Sequence, residues 1–278
     1  MTLRGKTALV TGATGFIGSR LVRRLAAEGC RVHALVRKTS RPDRLEGLWD
    51  ELPRHVGDLG DAQSLAACLR ACRPDVVFHL AKDRQGARFE REAAATLRLA
   101  DALGREAPKA RWVRTAHAVE ERFGRSADAE LARAAAAKHK LAVVTLELFL
   151  VYGPGQGAKD FPRRLLEEAE AAGPLSALEG GARDFVHVDD VAGAYVAAAE
   201  KPGVEGRTFQ IGSGVLTPEA EVAAELLKIL EWKAAGPAAG KAAAGGHPAD
   251  LGPARRDLGW EPTTSLKRGL AQLVRRKV

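Results

Sequence analysis

The chain of 278 residues is 46% hydrophobic and 28% charged, so it can bury a sizeable core beneath a charged surface. No uninterrupted apolar run reaches the roughly 18 residues that a membrane span needs, and we expect no contact with a membrane. The net charge of +8 is spread along the chain, and only 5% of residues are aromatic, too few to form stacking platforms for bases. We therefore expect no nucleic-acid partner.

The cysteines and the first residues indicate a reducing compartment. Cys30, Cys68 and Cys72 give no disulfide framework. Residues 1–6 lead directly into an apolar strand, so we expect no signal peptide and a cytoplasmic location. Cys68 and Cys72 lie four residues apart on a predicted helix and could present two metal ligands, but no pair of His or Cys partners accompanies them in the sequence. We predict no metal site.

Short apolar runs alternate with helical patterns through the first half of the chain, which predicts a parallel sheet with helices on both faces. The predicted strands are Thr7–Thr11, Arg31–Val36, Arg54–Val56, Val76–Leu80, Arg111–Arg114 and Ala142–Leu148. The predicted helices are Phe16–Glu28, Asp61–Cys72, Phe89–Glu106 and Ser126–Lys140. The fold class that follows is α/β, a Rossmann-type doubly wound parallel sheet.

The pattern changes after Tyr152, where a glycine-rich loop begins. The later predicted helices are Asp160–Ala172, Asp189–Glu200, Pro218–Trp232 and Leu266–Arg275, and the strands are Arg183–Val188 and Thr208–Ile211. Residues 236–246 are low in complexity and predict a loop. We expect residues 1–152 to form a dinucleotide-binding core, with its sheet completed by later strands. Residues 153–278 would form a small substrate-side α/β lobe that does not fold independently.

Three glycines between the first strand and the first helix are spaced as in a dinucleotide-binding loop. Gly12 permits the tight turn, Gly15 lets the backbone approach a pyrophosphate, and Gly18 lets the helix pack closely on the strand. The helix N-terminus adds oriented N–H groups and a positive potential. The pattern therefore predicts a bound dinucleotide rather than an ordinary turn.

The residues after the second strand indicate which dinucleotide this is. Arg37 suits a ribose 2′-phosphate, with help from Lys38 or Arg41, whereas an NAD site usually has a carboxylate here. We predict NADP, with NAD as the second choice; the alternative is that these are solvated surface cations. Asp58, after the third strand, could accept a hydrogen bond from adenine, serve as a turn or N-cap residue, or do both.

Several motifs occur in the order found in one family. They are Thr11-Gly-Ala-Thr-Gly-Phe-Ile-Gly-Ser, Gly57-Asp-Leu, His79-Leu-Ala, Val151-Tyr-Gly-Pro-Gly, Arg183-Asp-Phe-Val-His-Val-Asp-Asp, Ile211-Gly-Ser-Gly and Leu258-Gly-Trp-Glu-Pro. Over essentially its whole length the chain resembles the extended short-chain dehydrogenase/reductases, the NAD-dependent epimerase/dehydratase family. The resemblance implies a small polar or nucleotide-linked substrate and relatives that are epimerases, dehydratases and reductases.

With the resemblance, the motifs define a set of expected site residues. Those expected at the cofactor are Gly12, Thr14, Gly15, Phe16, Ile17, Gly18, Arg37, Lys38, Asp58, Leu59, Leu80 and Ala81. On the substrate side we expect Lys82 and Arg183; Asp83 beside Lys82 could also line the pocket, although a surface ion pair would explain both.

The family's catalytic residues are replaced in this chain. The resemblance aligns Phe123 and Ala127 with the family's catalytic tyrosine and lysine, His117 with its serine, and Glu92 with its asparagine. Phenylalanine cannot move a proton, so a substitute is needed for acid/base chemistry. His117 is the first candidate because imidazole titrates near neutral pH, and Glu92 is the second; either could instead be structural. We do not expect Tyr152 to act as the acid.

Three functions remain open: an atypical family enzyme, a non-redox cyclase, hydratase or lyase that reuses the pocket, and a non-catalytic protein that senses NADP(H). The resemblance also implies a homodimer formed by the helices Phe89–Glu106 and Ser126–Lys140. Small side chains on the second helix would allow close approach of two helices; they are Ala127, Ala129, Ala132 and Ala134–Ala137.

Overall fold

The computed structural model describes residues 2–81, 88–117, 127–172, 174–233, 236–238 and 246–275, with the side chains of residues 88–90, 117, 127 and 128 excluded. Within these ranges no helix combines the length and the apolar character needed to cross a membrane.

Seven parallel strands form the large sheet, in the order β3-β2-β1-β4-β5-β6-β9. Their bounds are β1 Thr7–Thr11, β2 Arg31–Val36, β3 Arg54–Val56, β4 Val76–His79, β5 Arg111–His117, β6 Val143–Leu148 and β9 Thr208–Ile211. β1 and β6 are buried along their whole length, because helices cover both faces of the sheet. The predicted doubly wound α/β fold is confirmed.

Eight α-helices accompany the strands over the described ranges. Their bounds are α1 Phe16–Ala27, α2 Ala62–Cys72, α3 Arg88–Glu106, α4 Ala127–Lys138, α5 Arg163–Glu170, α6 Val188–Glu200, α7 Glu219–Ile229 and α8 Leu266–Arg275. One hydrophobic cluster joins residues of α1 and α6 to one face of the sheet, and a second cluster joins α2, α3 and α4 to the other. α1 also packs directly on α6.

A second, three-stranded sheet was not predicted. It consists of β7 Leu150–Tyr152, β8 Ala182–His187 and β10 Leu216–Pro218, in the order β10-β8-β7. A third hydrophobic cluster lies beneath it and includes residues of α5, α7 and α8. The later part of the chain is therefore shared, since β9 lies in the large sheet whereas β8 lies in the small one. The expected division at Tyr152 stays a prediction.

Several element bounds differ from the predicted ones, and two of these shifts have local reasons. β5 continues to His117 because its last three residues keep pairing with β6, up to His117 opposite Leu148. α5 begins only at Arg163, since Pro162 is its N-cap and a residue before proline disfavours helical geometry. Most of the predicted 236–246 loop lies outside the described residues.

Candidate active site at the carboxyl edge of the large sheet

The glycine loop between β1 and α1 is closed by contacts that leave no room for side chains. Gly12 has φ +74°, and a Cβ built on it would lie 2.7 Å from the backbone N of Ala81. A Cβ on Gly18 would lie 2.1 Å from the carbonyl oxygen of Gly12, so only glycine lets α1 pack this closely. Gly15 N donates to Gly12 O at 2.9 Å, which completes the turn.

The N-terminus of α1 is arranged to receive an anion. Gly15 is the N-cap and offers no side chain to the first N–H groups, and the first turn of α1 contains no acidic residue. Thr14, Phe16 and Ile17 of this loop are half-buried. The N–H groups and the helix dipole therefore point a positive potential toward the loop, as a pyrophosphate requires.

The residues expected at the adenosine end lie after β2 and β3. Arg37 and Lys38 are exposed, and Arg37 N donates to Ser40 Oγ at 3.0 Å, so the backbone turns directly after β2. Asp58 is a turn residue whose Oδ1 accepts from Gly60 N at 2.7 Å. The N-cap of α2 is Asp61 and not Asp58, because Asp61 accepts from Gln63 N. Leu59 and Leu80 are partly buried, and each packs against a core cluster.

A buried polar network joins the carboxyl ends of β1, β4 and β5. Thr11 Oγ1 lies 2.8 Å from His79 Nδ1, and the same Oγ1 accepts from Ala81 N at 3.3 Å. Thr115 Oγ1 donates to the His79 carbonyl at 3.2 Å and also bonds with the Tyr195 hydroxyl on α6. Side-chain hydrogen bonds thus fix the strand ends around Leu80 and Ala81.

Both tyrosines of the chain are structural. The sequence contains two, Tyr152 and Tyr195, and both are at most 1% exposed. Burial raises the pKa of each phenol, because the phenolate would lose its hydration. The Tyr152 hydroxyl donates to Leu266 O at 3.4 Å and packs against Gly269 of α8. No tyrosine is therefore available as a solvent-accessible acid/base.

Comparison with known proteins gives the family. A model of the NAD dependent epimerase/dehydratase family matches residues 8–119 and 125–212. The chain belongs to this family. A 3-diazoavenalumate denitrifying reductase from Streptomyces is 34% identical over 236 residues, covering 69% of this chain and 71% of the reductase. A UDP-glucose 4-epimerase from Mycolicibacterium smegmatis is 30% identical over 313 residues, covering 96% of each protein.

A solved structure is also similar to this chain. The structure of MoeE5 in complex with UDP-glucose and NAD is 29% identical, with a TM-score of 0.80 and 97% coverage of both chains. The resemblance found in the sequence is confirmed. The two similar proteins named above are a reductase and an epimerase, so membership of the family leaves the reaction open.

Only some of the residues that the resemblance aligns with the family's catalytic positions can be placed. His117 ends β5, with its backbone opposite Leu148 of β6, and its side chain is outside the description. Glu92 lies on the first turns of α3 and is half-buried. Ala127 is the first residue of α4. Lys82, Asp83 and Phe123 lie outside the described residues.

Arg183, expected on the substrate side of this family's fold, is held by two carboxylates. Its Nε donates to Glu219 at 3.0 Å, and its Nη2 lies 3.3 Å from Glu179. Glu219 is buried and also accepts from Gly180 N at 3.0 Å. The guanidinium thus ties β8 to α7, and any role toward a substrate comes in addition to this one.

Three buried charged residues near the site were missed by sequence reasoning. Arg114 of β5 and Glu147 of β6 are 2% and 4% exposed, and Glu147 accepts from Gln210 of β9 at 3.2 Å. Asp184 of β8 accepts from the backbone N of Gly214 and of Ala249, both at 2.9 Å. The available signal was a charged residue directly after an apolar residue of a strand, as in Val113-Arg114 and Leu146-Glu147.

Asp184 anchors the wall of a cavity. The cavity measures about 450 Å³ and is lined by Ser213, Gly214, Val215, Ala249, Asp250, Leu251, Gly252 and Arg255. None of these residues belongs to the glycine loop, so the cavity is distinct from the expected pyrophosphate site.

Proposed function

We propose that this chain binds NADP(H) and acts on a small polar or nucleotide-linked substrate with catalytic residues other than the family's tyrosine and lysine. The main observation behind this proposal is a contrast at the carboxyl edge of the large sheet. The glycine loop fits a dinucleotide, whereas both tyrosines are buried and structural. When bound, such a cofactor supplies hydride transfer. The relatives' names support a nicotinamide dinucleotide, since MoeE5 is described in complex with NAD.

The preference for NADP rests on the charge after β2. Arg37 and Lys38 are both exposed cations, and the first residues beyond the strand include no carboxylate that could accept from a ribose 2′-hydroxyl. An arginine side chain can bind a 2′-phosphate through two parallel hydrogen bonds. The Ser40 contact holds the Arg37 backbone at the position where the second strand leaves the sheet.

Calorimetry with NADP and NAD tests the cofactor proposal. We expect Arg37→Ala to weaken NADP binding about 10–100-fold, since a hydrogen bond to a charged group contributes about 1.5–3 kcal/mol, and to change NAD binding little. Arg31→Ala is the matched control, because Arg31 is an exposed arginine at the opposite end of the same strand. Equal losses for both cofactors in Arg37→Ala, or no binding by the wild type, would contradict the proposal.

His117 is the proposed acid/base group, with Glu92 as the second choice. A positioned acid or base contributes typically about 10²–10⁴-fold, so His117→Ala should reduce turnover by that factor and leave NADP affinity unchanged. His139→Ala serves as the control because His139 lies between the end of α4 and the start of β6, whereas His117 lies at the carboxyl end of β5. Screening follows nicotinamide absorbance and product together.

The outcomes of this screen separate the candidate functions. Turnover that survives in His117→Ala and falls in Glu92→Gln would transfer the role to Glu92. Product formed without cofactor would replace the redox proposal with a non-redox lyase or hydratase. NADP binding without any turnover would leave a sensing protein, and fast UDP-sugar epimerisation would show that ordinary family chemistry persists.

We also propose a cytoplasmic homodimer formed through α3 and α4, but no longer because of the small side chains of α4. Ala129, Ala132, Ala135 and Ala136 are buried within the chain, where α3 packs on α4, so these small residues already serve intramolecular packing. An apolar residue left exposed on α3 is Leu97, at 41%.

Light scattering tests the dimer. Wild type should exceed the 29.6 kDa of one chain, and Leu97→Asp should shift it toward the monomer. Val215→Asp is the control, because Val215 is also exposed and apolar but lies far from α3 in the sequence. A wild-type mass of one chain at micromolar concentration would refute the dimer.

A further inference from the structure

A cluster of thiol and imidazole groups lies on the face of the large sheet that α2 covers, apart from the catalytic edge. It contains His55 of β3 together with Cys68 and Cys72 of α2. One ligand atom from each of the three residues lies within 4.8 Å of the others. Cys68 and Cys72 are four residues apart in a helix and therefore share one face, which here points at β3. No histidine lies next to these cysteines in the sequence, but the sheet brings His55 close to them from 13 residues before Cys68.

A second histidine lies within hydrogen-bond distance of the first. His33 of β2 places its Nδ1 3.0 Å from Nε2 of His55, and the two rings stack with centroids 5.2 Å apart. With His33 as the acceptor, Nε2 of His55 carries the proton and Nδ1 of His55 retains its lone pair. Imidazoles that bind metals typically donate their other N–H to a neighbouring acceptor in this way, which fixes the tautomer and the ring plane.

The chemical state of the cluster suits metal binding. Both cysteines are reduced and buried. Two sulfurs and one imidazole, with no carboxylate in the group, favour a borderline-soft cation over magnesium or calcium.

We propose that His55, Cys68 and Cys72 form a zinc-type metal site, with His33 orienting His55. Zn–S distances of about 2.3 Å and Zn–N distances of about 2.0 Å place tetrahedral ligand atoms roughly 3.3–3.8 Å apart. Atoms now within 4.8 Å of one another need to move by about 1 Å, which side-chain rotation alone can supply. A water molecule would supply the fourth ligand.

The site would join β3 to α2 across the turn that contains Asp58. His55 lies three residues before Asp58, and α2 begins one residue after Asp61. A metal at this position stabilises the folded chain by mass action, since the three ligands come together only in the fold. The proposal is independent of NADP binding and of any turnover.

Cobalt titration of the full-length protein tests the site. The reduced protein is stripped with a chelator, kept in a phosphine reductant and titrated with Co²⁺ while thiolate-to-cobalt charge-transfer absorption is followed. We expect one equivalent to bind, Zn²⁺ to displace it, and Zn²⁺ to raise the melting temperature. Cys68→Ser and Cys72→Ser should each abolish the charge-transfer band. Cys30→Ser is the matched control, because Cys30 is also buried and reduced but lies outside the cluster.

The second histidine gives a graded readout. His33→Phe should weaken Zn²⁺ affinity about 10–100-fold without removing the band, as loss of a supporting hydrogen bond does. Absence of the band in wild type would overturn the proposal whatever the variants do. Equal band loss in Cys30→Ser and Cys68→Ser, with native circular dichroism in both, would also overturn it.

Discussion

The glycine loop and the carboxyl end of β5 lie at the same edge of the large sheet, but different contacts hold them in shape. In the loop, backbone packs on backbone, and a Cβ on Gly18 would lie 2.1 Å from Gly12 O. At β5, side chains make the contacts, because Thr115 bonds with both Tyr195 and the His79 carbonyl. Backbone packing resists every substitution, whereas a side-chain network can lose or exchange one member and keep the fold.

This difference bears on the departures from the family that we propose. The glycines of the loop match the family pattern, whereas the sequence predicts that Phe123 and Ala127 replace the catalytic tyrosine and lysine. A change in the loop would disturb the junction of β1 and α1 in the core. A change at the catalytic positions alters chemistry and leaves the sheet in place, so it is tolerated by the fold.

The largest effect is expected from a substitution in the glycine loop, where backbone packs on backbone. We expect Gly18→Ala to lower the free energy of unfolding by at least about 3 kcal/mol, because a backbone oxygen 2.1 Å from the new Cβ cannot move without displacing α1. NADP binding should be lost with it. Urea denaturation and calorimetry measure the two effects.

Gly193→Ala is the matched control for that prediction. Gly193 lies within α6, where the nearest atom to a built Cβ is 3.7 Å away. Replacement of a helical glycine by alanine should stabilise the chain by about 0.5–1 kcal/mol. Similar destabilisation by both substitutions would show that the loop is no more sensitive than an ordinary helical position.

The contrast between the two regions also governs what the sequence could predict. β1, β2, β3 and β9 begin and end at the predicted residues, because their apolar runs and flanking turn residues are local signals. The glycine loop could be predicted for the same reason, since residue identity alone carries its geometry.

The rest of the fold and of the site depends on neighbouring strands, which the spacing of residues in the sequence does not reveal. β7 and β10 have three residues each, too few to show a period, and they form strands only because β8 lies between them. The approach of His55 to Cys68 and the burial of Arg114 depend on which strands are neighbours. Such side-chain arrangements depend on the tertiary structure.

A smaller effect is expected from the side-chain network. Thr115→Val keeps the shape of the side chain but removes the hydrogen bonds to Tyr195 and to the His79 carbonyl, at a cost of about 1–3 kcal/mol. Tyr195→Phe removes only the shared bond and should cost about 0.5–1.5 kcal/mol. The double variant should cost less than the sum, because both changes delete the same Thr115–Tyr195 bond. Strict additivity in urea denaturation would show that the two hydroxyls do not interact.

The smallest expected effect is a pH dependence at His187, the N-cap residue of α6. Its Nδ1 accepts from Asp189 N at 3.3 Å and caps α6, while Asp189 binds Arg20 of α1 through two hydrogen bonds. Burial is the largest influence and lowers the pKa of His187; the Arg20 and Arg268 charges act in the same direction, and those of Asp189 and Asp190 oppose them. The folded chain therefore holds this imidazole neutral below the ordinary histidine pKa of about 6.5.

The sign of the effect follows from proton uptake. Below about pH 6.5 the unfolded chain binds a proton at residue 187 that the folded chain does not bind, so stability falls as the pH falls. The slope from one such group is at most about 1.4 kcal/mol per pH unit. Burial also lowers the pKa values of His33 and His55, so these two residues contribute to the loss of stability over the same pH range in the wild type. His187→Asn keeps a side-chain oxygen that can cap α6 but cannot titrate. We expect urea denaturation at about pH 8 and about pH 5 to show a smaller loss of stability toward acid in this variant than in the wild type. Equal losses in the two proteins would show that His187 does not contribute to the loss of stability in acid.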